Sequence, residues 1–219
     1  MTLNMEAIRL KFRNDIYLPL TRRIRRKKLN TTDFTIISNN CWGGTVYESY
    51  GLRKNTPTAG MFIMPSDYVK FVKNLEYYIG LELIFINPNE SKWKEVLEKK
   101  DNWGTYLIAK LDDIELHMLH YHDTRVAKEK WQKRKERIVW DKILYKFNDQ
   151  NGATQKDIQE FVNLKLKNKV CFVAREDLKN EDGVIFISQP ENTENGIKAS
   201  REPFGSSRYV NINNLINNL

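Results

Sequence analysis

The segment best suited to bind a ligand lies at residues 39–44, directly after a short β-rich run at residues 34–38. Its residues are Asn39, Asn40, Cys41, Trp42, Gly43 and Gly44. The two asparagine amides suit sugar hydroxyls, and the indole has a flat apolar face on which a sugar ring or a base can lie. The two glycines allow a ligand to approach the backbone closely. We therefore predict a ligand site here, with a tight turn as the alternative.

Cys41 stands where a helix predicted for residues 45–51 begins. Free N–H groups at a helix start stabilise an anion, so the thiol is a candidate nucleophile with a lowered pKa, and a buried structural cysteine is the alternative. A second polar run, residues 148–152, also follows a predicted strand and forms either a turn or another part of the site. Neither run matches the dinucleotide, P-loop or hydrolase-elbow patterns, so those classes are disfavoured.

All three histidines lie within six residues, at His117, His120 and His122, and Asp123 follows them. In a strand, His120 and His122 share one face and His117 takes the other. Three roles stay open: hydrogen bonding, metal binding, or acid–base chemistry with His120 as the base. We predict no metal site, because the run lacks a further histidine, a cysteine pair or the H-E-x-x-H pattern.

A basic helix is predicted at residues 124–139, and residues 124–140 have a net charge of +5. Its apolar stripe contains Ala127, Trp131 and Ile138, but Arg134 falls on the same stripe and Arg137 flanks it. An arginine next to a tryptophan can stack on the indole and still offer its fork to a phosphate. We predict Trp131, Arg134 and Arg137 as ligand-binding residues; the alternative is an arginine that snorkels or pairs with a carboxylate.

The N-terminal 30 residues have a net charge of +7 and an amphipathic pattern. Met5, Ile8, Phe12 and Ile16 fall at helical spacing, and Leu20 and Ile24 form a short apolar edge after Pro19, which breaks the helix or starts a second one. One interpretation is a helix packed on the body with a solvated basic face. The other is an interfacial helix at residues 5–28 on an anionic membrane. We predict no nucleic-acid partner, because no nucleic-acid-binding motif accompanies the charge.

The composition indicates a globular protein. The chain has 219 residues, 41% of them hydrophobic, and a net charge of +8. Two cysteines form no disulfide framework, which indicates a reducing compartment. The sequence shows neither a membrane-spanning run nor a signal peptide. We therefore predict a cytoplasmic location, with contact to the inner face of the membrane if the N-terminal helix binds lipid.

Strands and helices alternate over residues 34–100 and again over 142–187. This pattern predicts an α/β fold with a mixed, mostly parallel sheet and helices on both faces. Two strands joined at Asp112-Asp113 predict an antiparallel hairpin. We expect an N-terminal extension at residues 1–30 and a single α/β domain at residues 31–219; the alternative is two lobes divided near residue 101.

Four runs carry a family resemblance: residues 34–44, 113–121, 127–138 and 168–172. They resemble an uncharacterised bacterial family labelled exopolysaccharide biosynthesis protein, a domain of unknown function found in capsule and surface-polysaccharide gene clusters. Two arginines usually follow the tryptophan of the basic helix in that family, whereas Gln132 and Lys133 follow Trp131 here. Only Arg134 and Arg137 therefore match that pattern. The resemblance implies sugar-nucleotide or lipid-linked glycan ligands in preference to nucleic acid.

These observations lead to two functional hypotheses. The first is a transferase acting on a nucleotide sugar or a lipid-linked saccharide, with residues 39–44 binding the ligand, His120 as base, and Arg134 with Arg137 holding phosphate. The second is a non-catalytic binding or scaffold protein of the polysaccharide machinery at the membrane surface. Cofactors and oligomeric state are left open.

Overall fold

Two four-stranded sheets form the framework of the computed structural model, which describes residues 5–100, 102–190 and 194–219. The strands are β1 (Thr35–Ser38), β2 (Phe62–Ile63), β3 (Ile84–Ile86), β4 (Leu107–Leu111), β5 (Ile114–Met118), β6 (Ile143–Asn148), β7 (Lys169–Val173) and β8 (Val184–Phe186). The α-helices are α1 (Met5–Phe12), α2 (Leu18–Arg26), α3 (Trp42–Tyr50), α4 (Pro65–Lys73), α5 (Leu75–Gly80), α6 (Lys94–Leu97), α7 (Thr124–Lys135), α8 (Gln155–Asn163) and α9 (Ile212–Asn217).

The two sheets differ in the direction of their strands. The sheet β1-β6-β7-β8 is parallel, and the sheet β2-β5-β4-β3 is antiparallel. The predicted α/β class is therefore confirmed, but parallel and antiparallel pairings occupy separate sheets rather than one mixed sheet. The chain order gives the reason, because β2 to β5 lie consecutively between β1 and β6 and pair only with one another among the described strands.

The hairpin predicted at Asp112-Asp113 is confirmed by β4 and β5. Leu111 pairs with Ile114 across the turn, and Asp112 has a φ of 55°, which aspartate adopts more readily than most residues. The Asp113 carboxylate accepts hydrogen bonds from Lys70 Nζ at 2.6 Å and from the Tyr78 hydroxyl at 2.7 Å. These bonds hold the turn against α4 and α5.

A buried apolar cluster spans both sheets. Tyr68 of α4 stacks on Phe147 of β6, with ring centroids 5.5 Å apart, and its hydroxyl donates to the carbonyl of Ile37 in β1 at 2.8 Å. The N–H of Ile63 in β2 donates to the carbonyl of Asn39, just beyond β1, at 2.9 Å. These contacts place the start of the antiparallel sheet at the carboxyl end of β1, where the predicted ligand segment begins.

The N-terminal residues form one continuous helical run from Met5 to Arg26, in which a π-helical turn, Arg13–Tyr17, joins α1 to α2. Pro19 is the second residue of α2, and Tyr17 and Leu18 before it already have helical backbone angles. The predicted break does not occur, and α2 begins at Leu18 directly after the π turn, without a free helix start. The buried Arg25 guanidinium donates to the Ser49 carbonyl and so holds α2 against α3.

The proposed division into an extension at residues 1–30 and one domain at residues 31–219 stays a prediction. Residues 1–4, and residue 101 at the alternative boundary, lie outside the described residues. No helix in the described part of the chain combines the length and apolar character that crossing a bilayer requires.

Candidate functional site

The predicted segment at residues 39–44 connects β1 to α3, at the edge where parallel strands end. Cys41 is the N-cap residue of α3, which begins at Trp42 and not at the predicted Thr45. The N–H of Gly43 donates to Ser38 Oγ at 3.1 Å, and the N–H of Trp42 donates to Asn40 Oδ1 at 3.0 Å. Side chains from the segment itself therefore satisfy the first free N–H groups of the helix.

Because β6 runs parallel to β1, its carboxyl end brings residues 148–152 next to this segment. The Asn39 amide donates to Asn148 Oδ1 at 2.8 Å, and the Asn40 amide donates to Gln150 Oε1 at 2.9 Å. The interpretation of residues 148–152 as an element of the same polar site is the one that the geometry favours. Asn39 itself is fully buried beneath the site and lines neither cavity described below.

A buried ion pair lies under the two strand ends. Lys146 of β6 is fully buried, and its ammonium group pairs with the Glu202 carboxylate and donates to Asn40 Oδ1 at 3.0 Å. Burial lowers the pKa of Lys146 below its ordinary value, and the negative charge of Glu202 opposes this shift. Sequence reasoning missed both residues; a lysine within an otherwise apolar strand was the available signal.

Glu202 is the charged group of this network that reaches open space. Its carboxylate accepts hydrogen bonds from Lys146, from Asn148 Nδ2 at 2.8 Å and from Asn40 Nδ2 at 3.0 Å. A carboxylate has about four lone-pair sites, so three donors leave about one for a ligand. Glu202 also lines a cavity of about 620 Å³. It is therefore a fixed acceptor aimed at that cavity.

We name this space the amide-lined cavity. Five carboxamide side chains contribute to its wall: Asn40, Asn102, Gln150, Asn151 and Asn195. Phe62, Val96 and Leu119 add apolar surface, and Arg13 and Lys100 add positive charge. Its volume falls in the range typical of small-molecule sites.

A second space of about 320 Å³, the cationic cavity, adjoins the first and shares Cys41 and Thr45 with it. Its charged and polar wall residues are Asn14, Glu48, Lys54, His120, Lys130 and Arg134, and Gly44 and Gly60 form part of its backbone wall. Three cations against one carboxylate give this cavity a positive potential. The Arg134 Nη1 donates to the Ala59 carbonyl at 2.8 Å and to the Tyr121 hydroxyl, which fixes the guanidinium at the wall.

Four residues predicted from separate parts of the sequence meet at this cavity: Cys41, Gly44, His120 and Arg134. Asn40 and Trp42 line the amide-lined cavity with Cys41. The fold therefore brings these residues, from three distant segments of the chain, to adjoining walls. Gly43, Trp131 and Arg137 line neither cavity.

The structure corrects the predicted chemistry of Cys41. Burial, together with the negative charge of Glu202, raises the pKa of the thiol to about 11. The prediction of a lowered pKa is wrong because these two effects outweigh the helix start. The thiol lies 3.6 Å from the Met61 carbonyl, to which it donates a weak hydrogen bond. Cys41 is therefore a wall residue in the protonated form.

Trp42 is also placed differently from the prediction. Its indole is 3% exposed, packs edge-on against Phe172 at 5.6 Å, and donates from Nε1 to the Pro203 carbonyl at 2.7 Å. The ring has no open face for a sugar, so the predicted stacking role is wrong. Gly43 serves the fold instead, because a Cβ atom there would lie 3.0 Å from Ser38 Oγ and 3.1 Å from Ile36 Cγ2.

The predicted stacking of Arg134 on Trp131 does not occur. Trp131 is buried in the core, and the Arg134 guanidinium lies over the Tyr121 ring instead, 6.0 Å from its centroid. Arg137 donates from Nη2 to the Lys54 carbonyl at 2.9 Å and so holds the segment that bears Lys54. Arg134 lines the cationic cavity, whereas Trp131 packs in the core and Arg137 contacts the backbone beside that cavity.

The three histidines occupy three different environments because β5 ends at Met118. His120 and His122 therefore follow the strand and do not share a strand face as predicted. His117 is buried and stacked on Phe62, with ring centroids 4.6 Å apart, and burial lowers its pKa to about 3. His120 is exposed at the cationic cavity. Within the described ranges, no three His, Cys, Asp or Glu side chains cluster as a metal site would require.

Comparison with known proteins places the chain in a family. Residues 13–218 match a domain of unknown function (DUF1919). An uncharacterised protein of Haemophilus influenzae (strain Rd) is 33% identical over 150 residues, which cover 68% of this chain and 66% of that protein. Because the family match extends over nearly the whole sequence and includes every residue of both cavities, we conclude that the chain belongs to the DUF1919 family.

Proposed function

We propose that this chain binds a phosphorylated saccharide, either a nucleotide sugar or a lipid-linked saccharide, and acts as a transferase in exopolysaccharide or capsule synthesis. One observation carries the proposal: an amide-lined cavity and a cationic cavity adjoin at Cys41 and Thr45. A saccharide joined to a phosphate needs these two environments side by side.

The amide-lined cavity suits the sugar. Each carboxamide side chain both donates and accepts hydrogen bonds, as a sugar hydroxyl does. Asn40 already uses its amide group on Gln150, Glu202, Trp42 and Lys146, so the sugar hydroxyls are matched by the other four carboxamides. The Glu202 carboxylate adds a charged acceptor that Lys146 and Asn148 hold in place. Hydrogen bonds to charged groups are among the stronger ones in proteins, so Glu202 is expected to fix the orientation of the sugar.

The cationic cavity suits the phosphate. Lys130 is an exposed point charge, and Arg134 presents a fixed guanidinium with N–H groups left over from its two protein bonds. His120 lies at the same wall. In the transfer step the glycosyl–phosphate C–O bond breaks, and the phosphate leaves with the electron pair, held by Arg134. The acceptor hydroxyl forms the new C–O bond and gives its proton to His120.

The second candidate is a non-catalytic binding or scaffold protein of the polysaccharide machinery at the membrane surface. The observation that favours it is the apolar side chains of α1 and α2, which face away from the body and remain exposed. An assay for released nucleotide or lipid phosphate separates the two candidates. A transferase releases one of these products, whereas a scaffold protein binds the phosphorylated saccharide and releases neither.

Thermal unfolding in the presence of candidate ligands tests the proposal. A ligand at 100 times its dissociation constant stabilises the native state by about 2.7 kcal/mol. We expect a rise in Tm with nucleotide sugars or polyprenyl-phosphate mimics that exceeds the rise with inorganic phosphate alone. The absence of any rise with both classes would contradict the proposal.

A matched pair of variants locates the phosphate. Lys130→Gln removes a charge from the cationic cavity, whereas Lys133→Gln removes one from an exposed position of the same helix that lines neither cavity. We expect K130Q to weaken the binding of a phosphorylated saccharide about fivefold or more, which corresponds to about 1 kcal/mol. K133Q should bind as the wild type does. Equal affinities in isothermal titration would place the phosphate elsewhere.

A further inference from the structure

The N-terminal helical run has its apolar side turned outward. Seven of the eleven exposed large apolar side chains in the described part of the chain lie between Met5 and Ile24. The seven are Met5, Ile8, Phe12, Ile16, Tyr17, Leu20 and Ile24. Leu20 is 75% exposed and Ile24 is 65% exposed, although α2 packs on α3. Such a concentration of exposed apolar surface marks an interaction site.

The inward side of the same run is mostly polar. Arg25 is buried and donates to the Ser49 carbonyl and to Thr21 Oγ1, and its guanidinium lies 5.2 Å from the centroid of the Phe204 ring. Arg13 donates from Nη1 to the Ala199 carbonyl at 2.8 Å. These bonds satisfy the inward arginines and fix which side faces out. The exposed stripe therefore follows from the way the helix packs on the rest of the chain.

Cations border the exposed stripe. Arg23 follows Leu20 by three positions and Lys27 follows Ile24 by three, so both lie beside the apolar side chains on the helix surface, and both are exposed. Arg9 precedes Phe12 by three positions and is exposed as well. At the interface of a bilayer rich in anionic lipid, negatively charged headgroups lie above apolar acyl chains. An apolar stripe with a cationic border is complementary to both layers.

We propose that residues 5–27 form a docking surface for an anionic lipid membrane. Ile16, Leu20 and Ile24 enter the boundary between headgroups and acyl chains, and Arg23 and Lys27 contact the lipid phosphates. A helix with these features lies in the plane of the interface. This proposal rests on the helix alone and does not depend on the proposed ligand.

The helix also forms part of the cavity walls. Arg13 lines the amide-lined cavity and Asn14 lines the cationic cavity, while their neighbours Phe12 and Ile16 are exposed. A helix with its side chains is about 10–12 Å across, so docking brings both cavities to within about that distance of the lipid. If the proposed function also holds, this placement favours a lipid-linked saccharide over a soluble nucleotide sugar.

Sedimentation with vesicles that contain no saccharide tests the docking surface separately from the proposed function. We expect the wild-type chain to bind phosphatidylglycerol-containing vesicles at low ionic strength, to bind pure phosphatidylcholine vesicles weakly, and to dissociate as salt is added. Binding to neither type of vesicle would overturn the proposal, even if saccharide phosphates raise the Tm.

Two double variants and two controls assign the binding to the exposed stripe and its border. We expect Leu20→Gln with Ile24→Gln to weaken vesicle binding about tenfold or more, and Arg23→Gln with Lys27→Gln about fivefold per charge removed. The controls are Ile84→Gln, at a 63% exposed apolar position of β3, and Lys156→Gln, at an 84% exposed lysine side chain of α8. If I84Q and K156Q weaken vesicle binding as much as the double variants do, the assignment of binding to the exposed stripe and its cationic border is overturned. A lipid-free wild-type dimer that L20Q/I24Q converts to a monomer would overturn it as well, since a second copy would then cover the stripe.

Discussion

The walls of the two cavities and the N-terminal helix both depart from the usual distribution of polar and apolar groups, in opposite ways. At the cavities, charged Lys146 and Glu202 are buried, and each makes several hydrogen bonds within the chain. On the helix, Leu20 and Ile24 are exposed and make no apolar core. The buried charges are stabilised by partners within the chain, whereas the exposed apolar surface indicates a partner from outside it.

The largest expected effect comes from removing one side of the buried ion pair. Glu202→Leu leaves the Lys146 ammonium buried without a counter-ion, which destabilises a fold by about 3–5 kcal/mol. The double variant Lys146→Met with Glu202→Leu removes both charges and should recover part of that loss, because the Asn40 and Asn148 amides still lose the carboxylate that accepts their hydrogen bonds. Urea unfolding of both variants measures the difference.

The exposed Glu98→Leu serves as the control for removing a carboxylate, and we expect it to change the free energy of unfolding by less than about 0.5 kcal/mol. If E202L and K146M/E202L are equally unstable, then the two charges are not coupled, and the network does not hold Glu202 in place.

His117 is a buried polar group that, unlike Lys146 and Glu202, has no hydrogen-bond partner among the described residues. Neither ring nitrogen of His117 has a hydrogen-bond partner among the described residues, and Glu115 Oε2 is 3.9 Å from Nε2, beyond bonding distance. Burial lowers the pKa of His117 to about 3, and the positive charges of Lys100 and Lys92 add to this shift. The imidazole is therefore neutral in the folded protein near neutral pH.

This neutral histidine makes stability depend on pH with a definite sign. In the unfolded chain a histidine binds its proton near pH 6.5, whereas folded His117 does so only near pH 3. Between these values the unfolded state binds more protons, so stability falls as the pH falls, by about 2 kcal/mol at pH 5. His117→Phe keeps the stacking on Phe62 and should remove this part of the pH dependence. Identical profiles of unfolding free energy for H117F and wild type would contradict the burial effect.

The features predicted from sequence are those set by neighbours in the chain. Thr154 caps α8 and Asp157 closes the capping box, a pattern that the sequence alone indicates because the two residues lie three positions apart. The β4–β5 hairpin was predictable for the same reason, since its turn and its apolar strands are adjacent. The segment at residues 39–44 was predictable because a buried strand precedes it and its last two residues are glycines.

The missed features depend on contacts between distant parts of the chain. Glu202 comes from an irregular stretch and lies 56 positions from Lys146, so no spacing rule links the two. Arg134 shares a helical stripe with Trp131. Its guanidinium nevertheless lies over the Tyr121 ring and donates to the Tyr121 hydroxyl, because the segment after β5 passes beside α7. The thiol of Cys41 has a raised pKa because of burial, which the type of residue alone does not indicate.

The smallest effect is expected at Leu20, and its contrast with Leu18 tests whether α2 is turned as described. Leu18 is 2% exposed and Leu20 is 75% exposed, so the same substitution, leucine to alanine, probes both sides of one helix two residues apart. Leu18→Ala should lower the free energy of unfolding by about 2 kcal/mol or more, because it empties a packed position. Leu20→Ala should change the free energy of unfolding by less than about 0.5 kcal/mol, because most of the removed side chain contacts solvent. Equal losses in urea unfolding would show that Leu20 is covered within the chain, and the exposed stripe would then need no outside partner.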